Sequence, residues 1–462
     1  MDFVKKQMNR YFIIVAILIA SLQGYTQDKT VVRPNILIIM TDQQTAEAMS
    51  CAGNSDLHTP AMDFLAAHGT RFTEAYCAQP LCTPSRSAIF SGVMPSANGF
   101  VGNYSEADGQ WPDSLLVMGK IFKDAGYKTG YVGKWHLPLP PAKIVQHGFD
   151  YIQNTWTGDF MDAANPAYCA RFMKENKNKP FLLVASFLNP HDICEWARND
   201  FLKMDFIAQP PSPELCPELP YNWKISPYEP PIIREQQKVN LRTYPSTNWE
   251  AGRWRQYRWA YNRLIEKVDG YVQMILDGLK KYGLEENTII LFTSDHGDGY
   301  AAHQWNQKQV LYQESAKVPF ILSKIGTFKP QVNNSLICNG TDIMTTICSY
   351  AGIKAPAYLK GADIKQVMDN SQYRLRDTLV IETDFADNTV LLGIKGRAVI
   401  THQYKYIVYD KGDFREQLFD LQTDPGETKN LVVETSYSKI LEGMRNYLKE
   451  YTRNNNDPFN PY

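Results

Sequence analysis

The sequence has few of the features that would place it in a redox, zinc-finger or nucleic-acid-binding class. Its 8 cysteines include no C-x-x-C pair, which argues against thioredoxin-like chemistry and zinc knuckles. The formal net charge of the 462 residues is only -1, so we expect no general attraction to nucleic acid or to anionic membranes. No internal repeat or low-complexity segment occurs. Any recognition of an anion must therefore depend on a local site in an otherwise ordinary globular chain.

Long apolar runs are also scarce. One near the N-terminus, from Tyr11 to about Leu22, is too short to span a membrane comfortably. Basic residues precede it and small and polar residues follow it, which is the three-part form of a secretory signal over residues 1–27. We expect the protein to be exported to the periplasm or the extracellular space, without a stable membrane anchor. An uncleaved anchor is the alternative, and the cleavage site stays open because no clean A-x-A is present.

Four apolar runs, at residues 35–40, 128–132, 180–187 and 288–292, predict strands of a sheet that is covered on both faces. Helix-like stretches separate them, the longest at about 249–282. We therefore expect an α/β fold with a large, mostly parallel sheet sandwiched by helices, in a domain over residues 28–370. Strand-like runs at 378–382, 397–410 and 417–421 and an amphipathic helix at 438–451 predict a smaller C-terminal subdomain, an antiparallel sheet plus a helix, over residues 371–462.

One segment of the large domain, at about 195–246, is dense in proline. Proline at that density disfavours regular structure and predicts a stiff, irregular loop. Such a loop is either a wall of a binding site or a plain surface excursion.

Polar and ionisable side chains follow the predicted carboxyl ends of all four strands, the edge at which open α/β sheets bind ligands. They are Asp42 and Gln43, Lys134 and His136, His191, and Asp295 and His296. Carboxylate and amide oxygens suit a hard cation such as Ca²⁺, whereas the imidazole of His296 is more typical of Zn²⁺ or Mn²⁺ sites. Several cations, including Lys308, together with two imidazoles suit a dianionic tetrahedral substrate whose leaving oxygen must be protonated.

Cys82 lies where a helix start, a cation and a thiol coincide. Thr83 is a good N-cap, Pro84 suits the first turn and Gly92 ends the helix, which we predict over residues 84–90. Free N–H groups and the helix dipole favour an anion at this end, and Arg86 adds a permanent cation. By themselves these residues allow a phosphatase, a redox site or a buried structural cysteine.

Taken together, these residues resemble the type I sulfatases of the alkaline-phosphatase-like superfamily, over nearly the whole chain after the signal. The most specific motif is Cys82-Thr83-Pro84-Ser85-Arg86. The others are Asp42-Gln43, Gly133-Lys134-Trp135-His136, Asn189-Pro190-His191, Ser294-Asp295-His296-Gly297-Asp298, Lys308 before Tyr312-Gln313-Glu314-Ser315, and a terminal Gln417-Leu418-Phe419-Asp420-Leu421.

The resemblance implies that a dedicated maturation enzyme oxidises Cys82 to formylglycine, whose aldehyde hydrate is the nucleophile. It also implies a bound Ca²⁺. Its ligands would be the modified residue 82, Asp42, Gln43, Asp295 and His296.

The same resemblance assigns catalytic roles to the cations and imidazoles. Arg86 and Lys134 would hold the hydrate and its charge, and His191, assisted by Lys308, would protonate the leaving oxygen. His136 would help the sulfated hemiacetal collapse, so that sulfate leaves without water attacking sulfur.

Two positions depart from the commonest family pattern. Gln43 stands where a second Asp is common, and His296 stands where Asn is often found. Gln43 still offers a carbonyl oxygen, but the site has fewer formal negative charges. Mg²⁺ or Mn²⁺ therefore stays open in place of Ca²⁺.

The expected substrate is a carbohydrate sulfate ester, in fragments of glycosaminoglycan, mucin or algal glycan. Lys134, His191 and Lys308 are expected to bind it. Further candidates for sugar, carboxylate or sulfate contacts are His303, Arg397, Trp196, Trp223 and Trp305.

Three alternatives compete with this interpretation. A phosphodiesterase or phosphonate monoester hydrolase shares the fold, but the full C-T-P-S-R run argues against it. A non-catalytic sulfated-glycan-binding protein with an unmodified Cys82 would have no need of the Lys and His proton-transfer groups. A cysteine phosphatase requires five residues between Cys and Arg, whereas three separate Cys82 from Arg86.

Overall fold

The apolar run that begins at Asn35 forms strand β1 (Asn35–Asp42), all 8 residues of which are buried. Strand β1 pairs in parallel with Phe181–Pro190 on one side and with Thr288–Ser294 on the other. Its side chains alternate between the two faces of the sheet, with Leu37 and Ile39 in one hydrophobic core and Ile36 and Ile38 in the other. Because neither face meets solvent, the strand is apolar throughout.

The computed structural model describes residues 33–104, 111–154, 161–200, 202, 206–370, 372–387 and 389–461. The predicted signal at 1–27 lies outside these ranges. The further strands are β2 (Gly69–Phe72), β3 (Ala75–Tyr76), β4 (Lys128–Gly133), β5 (Tyr151–Gln153), β6 (Phe181–Pro190), β7 (Thr288–Ser294), β8 (Phe320–Ser323), β9 (Gln331–Asn333), β10 (Ile337–Cys338), β11 (Thr378–Asp387), β12 (Val390–Thr401), β13 (Tyr404–Tyr409) and β14 (Glu416–Asp420).

The described α-helices separate most of these strands. They are α1 (Pro60–Ala67), α2 (Cys82–Ser91), α3 (Pro95–Asn98), α4 (Met118–Asp124), α5 (Ile144–His147), α6 (Met161–Asn176), α7 (Ile193–Ala197), α8 (Pro231–Val239), α9 (Ala251–Lys281), α10 (Gln313–Ala316), α11 (Asn339–Ala351), α12 (Lys365–Asp369) and α13 (Ser438–Asn455).

The main sheet has 8 strands in the order β5-β4-β6-β1-β7-β8-β2-β9. Strands β5, β4, β6, β1 and β7 are parallel, whereas β8 runs antiparallel to both β7 and β2. The long helix α9 and helix α6 cover one face, and α4 and α11 cover the other. The predicted fold class, a mostly parallel sheet between helices, is confirmed.

The C-terminal part forms the predicted antiparallel sheet, with 4 strands in the order β11-β12-β13-β14. The prediction of a single strand over 397–410 is wrong, because a turn at His402 and Gln403 separates β12 from β13. Helix α13 packs on this sheet through Leu441, Met444 and Leu448. The described residues from Pro34 onward form one compact unit, and the proposed domain boundary at residue 370 stays a prediction.

Most of the proline-rich segment is irregular where the structure describes it, as predicted, although Pro231–Val239 forms helix α8. Its path is fixed by contacts with the C-terminal part. Asn222 Nδ2 donates to the Gly426 carbonyl at 3.0 Å, and Ser226 Oγ donates to the Thr428 carbonyl at 2.9 Å.

All eight cysteines lie in the described ranges, and each is a free thiol. Among the described helices, none is both long and apolar enough to cross a membrane.

Candidate active site

The carboxyl ends of β4, β6, β1 and β7 lie side by side, because these strands are consecutive in the sheet and parallel. Asp42 ends β1, and Asp295 follows β7 directly. Lys134 follows β4, and His191 follows β6. The topology therefore brings four sequence segments to one edge of the sheet, as the strand-end pattern predicts.

Helix α2 brings Cys82 to this edge. The helix begins at Cys82 itself with Leu81 as its extended N-cap, so the prediction that Thr83 caps a helix starting at Pro84 is wrong. Leu81 has no side-chain acceptor for a cap, and all 10 residues of the helix are buried, so packing fixes this helix start. Gly92 ends the helix at φ 72°, as predicted.

Buried cations surround the carboxylate of Asp42. Its Oδ2 lies 2.6 Å from Lys134 Nζ and 2.9 Å from Arg86 Nη2. Burial raises the pKa of Asp42, but Lys134, Arg86, His191 and Lys308 together lower it well below its ordinary value. The carboxylate is therefore ionised in the folded chain.

Arg86 connects the two carboxylates of the cluster. Its Nε lies 2.9 Å from Asp295 Oδ2, and its Nη1 donates to the Lys134 carbonyl at 3.0 Å and to Ser186 Oγ at 2.9 Å. Burial and the nearby Asp42 raise the pKa of Asp295. With its donors committed to protein acceptors, the guanidinium holds the carboxylates in place.

The sulfur of Cys82 lies among these charges. It is 2.9 Å from Lys308 Nζ, 3.2 Å from His296 Nε2 and 3.8 Å from Asp42 Oδ1. Burial and Asp42 raise the pKa of the thiol, but Lys134, Lys308 and His296 outweigh them and lower it well below its ordinary value. The environment therefore favours negative charge at this position.

Four buried side chains, Asp42, Cys82, Asp295 and His296, each place a ligand atom within 4.8 Å of the others. His296 Nδ1 lies 2.9 Å from the Gly297 carbonyl, to which it can donate a proton, so Nε2 is the nitrogen that faces the cluster and would bind a metal once deprotonated. Carboxylate oxygens with one neutral imidazole are a donor set that fits a divalent cation.

Gln43 adds an amide oxygen to this donor set. Its Nε2 donates to Asp298 Oδ2 at 2.8 Å, and its Oε1 accepts from Lys308 Nζ at 3.0 Å. Its backbone has φ 71°, in the left-handed region that non-glycine residues rarely adopt. These two hydrogen bonds fix the amide orientation, so the carbonyl oxygen faces the cluster.

His136 and His191 are more exposed to solvent than the lysines Lys134 and Lys308. The His191 side chain is 24% exposed, whereas Lys134 and Lys308 are 2% and 7% exposed. Burial lowers the pKa of His136 to about 4, against a hydrogen bond with Cys82 that raises it. Burial, Lys134 and Lys308 lower the pKa of His191 well below its ordinary value. The position of His191 suits a proton donor at the entrance of the site.

The contacts of His303 and Arg397 lie outside this cluster, and their contact with substrate stays a prediction. The buried ring of His303 stacks on Tyr312, with centroids 4.0 Å apart, and groups instead with Glu314 and Glu427. Arg397 pairs with both oxygens of Asp457 at 2.7 Å inside the C-terminal part. Both side chains hold the fold together where they lie.

The three tryptophans that the sequence suggests for substrate contact pack against other parts of the protein. Trp305 is fully buried, and its indole N–H donates to the Lys308 carbonyl at 3.2 Å, so it supports the loop that carries Lys308. The guanidinium of Arg253 covers the ring of Trp196 at 3.8 Å. Trp223 packs against the core beneath α9.

Sequence reasoning assigned no role to Asp298 and Tyr261, which orient Gln43. Asp298 accepts from Gln43 Nε2 and from the Tyr257 hydroxyl at 2.8 Å, and Tyr261 donates to the Gln43 carbonyl at 2.6 Å. Asp298 could have been found, because it lies in the same motif as Asp295. No local signal marks the tyrosines, which come from α9.

This fold and this cluster define a hydrolase of the alkaline-phosphatase-like superfamily. A family model described as Sulfatase matches residues 34–353, and a model described as N-sulphoglucosamine sulphohydrolase, C-terminal, matches residues 301–454. The chain belongs to the sulfatase family, and it is a sulfatase, a sulfuric ester hydrolase.

Sulfatases of other organisms are similar to most of the chain. It is 29% identical over 443 residues to a Delta 4,5-hexuronate-2-O-sulfatase of Bacteroides thetaiotaomicron, covering 92% of this chain and 90% of that protein. It is 30% identical over 426 residues to an ulvan-active sulfatase of Formosa agariphila, covering 88% of this chain and 79% of that protein.

Solved structures agree with the fold. A 2-O GAG sulfatase superposes with a TM-score of 0.81 at 28% identity, covering 92% of this chain and 93% of that one. The phosphonate monoester hydrolase of Agrobacterium radiobacter superposes with a TM-score of 0.73 at 19% identity, covering 92% and 96% of the two chains. The second likeness concerns the fold alone.

Proposed function

We propose that this sulfatase hydrolyses O-sulfate esters of carbohydrates, with residue 82 as formylglycine and a Ca²⁺ beside it. The observation that carries the proposal is the surroundings of Cys82. Its sulfur lies within 3.2 Å of both Lys308 Nζ and His296 Nε2, at the end of a helix that opens onto four strand ends. A thiol in that place is the precursor of the reactive group.

The metal would be held by Asp42, Gln43, Asp295, His296 and residue 82. Bound there, a divalent cation supplies Lewis-acid stabilisation of negative charge on oxygen. The donor set has two carboxylates, one amide oxygen and one imidazole, which favours Ca²⁺ but leaves Mg²⁺ and Mn²⁺ as alternatives.

Formylglycine supplies a hydrated aldehyde as nucleophile, which the unmodified thiol cannot do. Its formation requires a maturation enzyme as a partner of the unfolded or nascent chain. In the folded protein Cys82 is 1% exposed, so modification has to precede folding or accompany it.

The lysines of the cluster would bind the sulfate group. Lys308 Nζ uses one donor on Gln43 Oε1 and directs another at residue 82, where the nucleophile and the sulfate must meet. Lys134 is held by Asp42 at 2.6 Å and adds a second cation beside it. Two buried ammonium groups at this point stabilise the charge that develops on the sulfate oxygens.

The imidazoles would move protons. His191 lies at the open side of the site, where the alcohol portion of a bulky ester must protrude, so it would donate a proton to the leaving oxygen. His136 hydrogen-bonds the side chain of residue 82 and has a pKa of about 4, so it is neutral and would accept a proton from that residue.

Carbohydrate as the alcohol portion is supported by the names of the relatives. They include sulfatases described as acting on a hexuronate 2-O-sulfate, on N-acetylglucosamine 6-O-sulfate and on ulvan. We propose fragments of glycosaminoglycan, mucin or algal glycan as substrates. In each case residue 82 would attack the sulfur, and the sugar oxygen would leave on the side of His191.

Mass spectrometry of the Cys82 peptide tests the modification. We expect protein made together with a maturation enzyme to be lighter by about 18 Da at Cys82 and to release sulfate from aryl and sugar sulfates, because the aldehyde carries the covalent chemistry. Cys82→Ala should fold and release none. An active preparation with an unmodified thiol, or faster turnover of an aryl phosphodiester than of an aryl sulfate, would overturn the proposal.

Export is part of the proposal, because residues 1–27 have the form of a secretory signal. Cell fractionation of the producing cells should find the mature chain in the periplasm or the medium. Recovery of the full-length chain in the cytoplasm or the membrane would contradict it.

A further inference from the structure

Glu195 lies one helical turn after His191, at the mouth of the site. Strand β6 ends at Pro190, and helix α7 (Ile193–Ala197) carries Glu195 back over His191. Glu195 Oε2 lies 3.9 Å from His191 Nδ1. This separation is longer than a hydrogen bond, but such contacts are often long before a substrate binds and shorten in the complex.

The glutamate is held in this orientation by its other oxygen. Oε1 accepts from Arg198 Nη2 at 2.6 Å, and Arg198 Nε is held in turn by Asp200 Oδ2 at 2.9 Å. Oε2 is buried and has no hydrogen-bond donor among the described residues. A buried carboxylate oxygen without a donor is costly, and the nearest ring nitrogen is the one that could satisfy it.

His191 faces charges of both signs, and a further carboxylate beside it would favour the protonated ring. The ammonium groups of Lys134 and Lys308 oppose a second proton on the ring, whereas Asp42 and Cys82 favour it. Asp42 already pairs with Lys134 and Arg86. On His191's own segment the carboxylates are Asp192 and Glu195.

Of these two carboxylates, Asp192 belongs to the local turn, because its side chain lies 3.4 Å from Asn189 Nδ2 and its N–H donates to Asn189 Oδ1. Glu195 is the one whose unpaired oxygen is directed at Nδ1.

We infer that Glu195 is a positioning residue for His191. Its Oε2 accepts a hydrogen bond from Nδ1–H, which fixes the ring and directs Nε2–H at the leaving oxygen of the substrate. As the S–O bond breaks, its electron pair stays on the leaving oxygen and the Nε2 proton joins it. The ring is left neutral, still bound to Glu195 through Nδ1–H. The inference rests on the proposed function, since it needs His191 as the acid.

Leaving-group dependence separates this role from a structural one. An aryl sulfate with an acidic phenol needs little help from an acid, whereas a sugar sulfate needs a proton on its leaving oxygen. In the full-length enzyme with formylglycine and metal in place, we expect Glu195→Ala to lower kcat on a sulfated monosaccharide by about 10- to 100-fold. On 4-nitrophenyl sulfate the loss should stay within about 3-fold, with KM for both substrates little changed.

Two further variants complete the experiment. Glu195→Gln keeps an acceptor oxygen of the same reach, so it should recover part of the loss on the sugar sulfate. Glu175→Ala removes a glutamate from an exposed i,i+4 pair with Arg171 and should change neither substrate. The Gln variant also keeps the test intact if the Ala variant does not fold.

The outcomes are distinguishable. Equal losses on both substrates in Glu195→Ala, or no loss on either, would overturn the positioning role. If His191→Ala shows the selective loss but neither Glu195 variant does, the proposed function stands and this inference fails. If the wild-type loaded enzyme releases no sulfate from either substrate, the proposed function fails and the inference fails with it.

Discussion

At the scale of the residue, the partners of Gln43 suit an amide better than a carboxylate. The amide donates to Asp298 and accepts from Lys308, two partners of opposite charge that only a side chain with both a donor and an acceptor can satisfy. A carboxylate at this position would face Asp298 with no donor between them. The pairing of Gln43 with Asp298 and Lys308 therefore explains an uncharged side chain at this point of the proposed metal site.

Gln43→Glu should destabilise the protein even though it adds a carboxylate to the proposed metal site. The change removes the hydrogen bond to Asp298 and places two buried carboxyl groups side by side, which we expect to cost about 1–3 kcal/mol in the free energy of unfolding. Urea denaturation in the absence of metal measures the loss.

Gln273→Glu is the matched control for this variant. Gln273 also donates its amide to an aspartate, Asp277 at 2.9 Å, but on the exposed face of α9. Its replacement should change the free energy of unfolding by less than about 0.5 kcal/mol. Equal stability of Gln43→Glu and wild type would show that the amide is not needed there.

At the scale of the element, Gly133 lets strand β4 turn into the site. It has φ 103°, and a Cβ added to it would lie 1.8 Å from the Ser186 carbonyl oxygen on β6. That same carbonyl accepts from the Lys134 N–H at 2.9 Å. The close approach of β4 to β6 at Gly133 therefore positions Lys134, whose N–H binds the same carbonyl.

Gly133→Ala should cost about 3 kcal/mol or more and misplace Lys134, because the backbone must move to relieve the collision. Thermal unfolding and sulfate release measure the two effects. Gly126→Ala controls for the backbone angle alone, since Gly126 has φ 87° with open space around its Cβ position. That variant should lose only about 1 kcal/mol and keep its activity. Equal losses in the two variants would contradict the role of the close approach.

Most of the elements that build the site could be predicted from sequence, because buried parallel strands are continuously apolar and end where polar residues begin. The start of helix α2 could not, since Leu81 has no capping group and packing decides where the helix begins. The hairpin between β12 and β13 was missed for a similar reason. The strand-like pattern of 397–410 continues through His402 and Gln403 without a glycine or proline to mark the turn.

Helix α10 (Gln313–Ala316) carries a partly buried acid, Glu314, whose titration affects stability. Burial, together with Glu427 and Glu47, raises the pKa of Glu314 from 4.5 to about 8. The folded chain therefore holds this proton more tightly than the unfolded chain does. The stability that results is full below about pH 4.5 and is lost as the pH rises through 8.

Glu314→Gln should remove this dependence, because an amide keeps the shape and does not titrate. Between pH 5 and pH 8.5 the free energy of unfolding of wild type should fall by on the order of 2 kcal/mol more than that of the variant. Denaturant titrations at the two pH values give the difference. Glu218→Gln, at an exposed glutamate, should retain the wild-type slope. If Glu314→Gln also retained the wild-type dependence of stability on pH, the raised pKa of Glu314 would be contradicted.

At the scale of the whole molecule, the site joins residues that are far apart in the chain. Gln43 and Lys308 are 265 positions apart, yet their side chains are in contact. The rule that α/β sheets bind ligands at the carboxyl ends of their strands finds such residues, because it depends on the topology of the sheet and not on distance along the chain. It does not find Glu195 or Tyr261, which reach the site from helices. It also gives no reason to leave out His303, which packs with Tyr312 and Glu314, or Arg397, which pairs with Asp457.

Because Asp42 and Asp295 end or follow two central strands, a bound metal should stabilise the whole fold as well as the reaction. A cation that binds only the folded state adds about 2.7 kcal/mol when its free concentration is 100 times its Kd. We expect removal of metal with a chelator to abolish sulfate release and to lower Tm by a few degrees, and added Ca²⁺ to restore both.

The same titration identifies the metal and its ligands. His296→Ala removes the imidazole donor and should abolish the calcium-dependent rise in Tm, whereas Asp277→Asn, at the surface of α9, should retain it. The rank of Ca²⁺, Mg²⁺ and Mn²⁺ in raising Tm reports which ion suits a site with one imidazole and two carboxylates. A Tm that none of the three ions raises would refute the metal site, because an ion that binds only the folded chain must stabilise it.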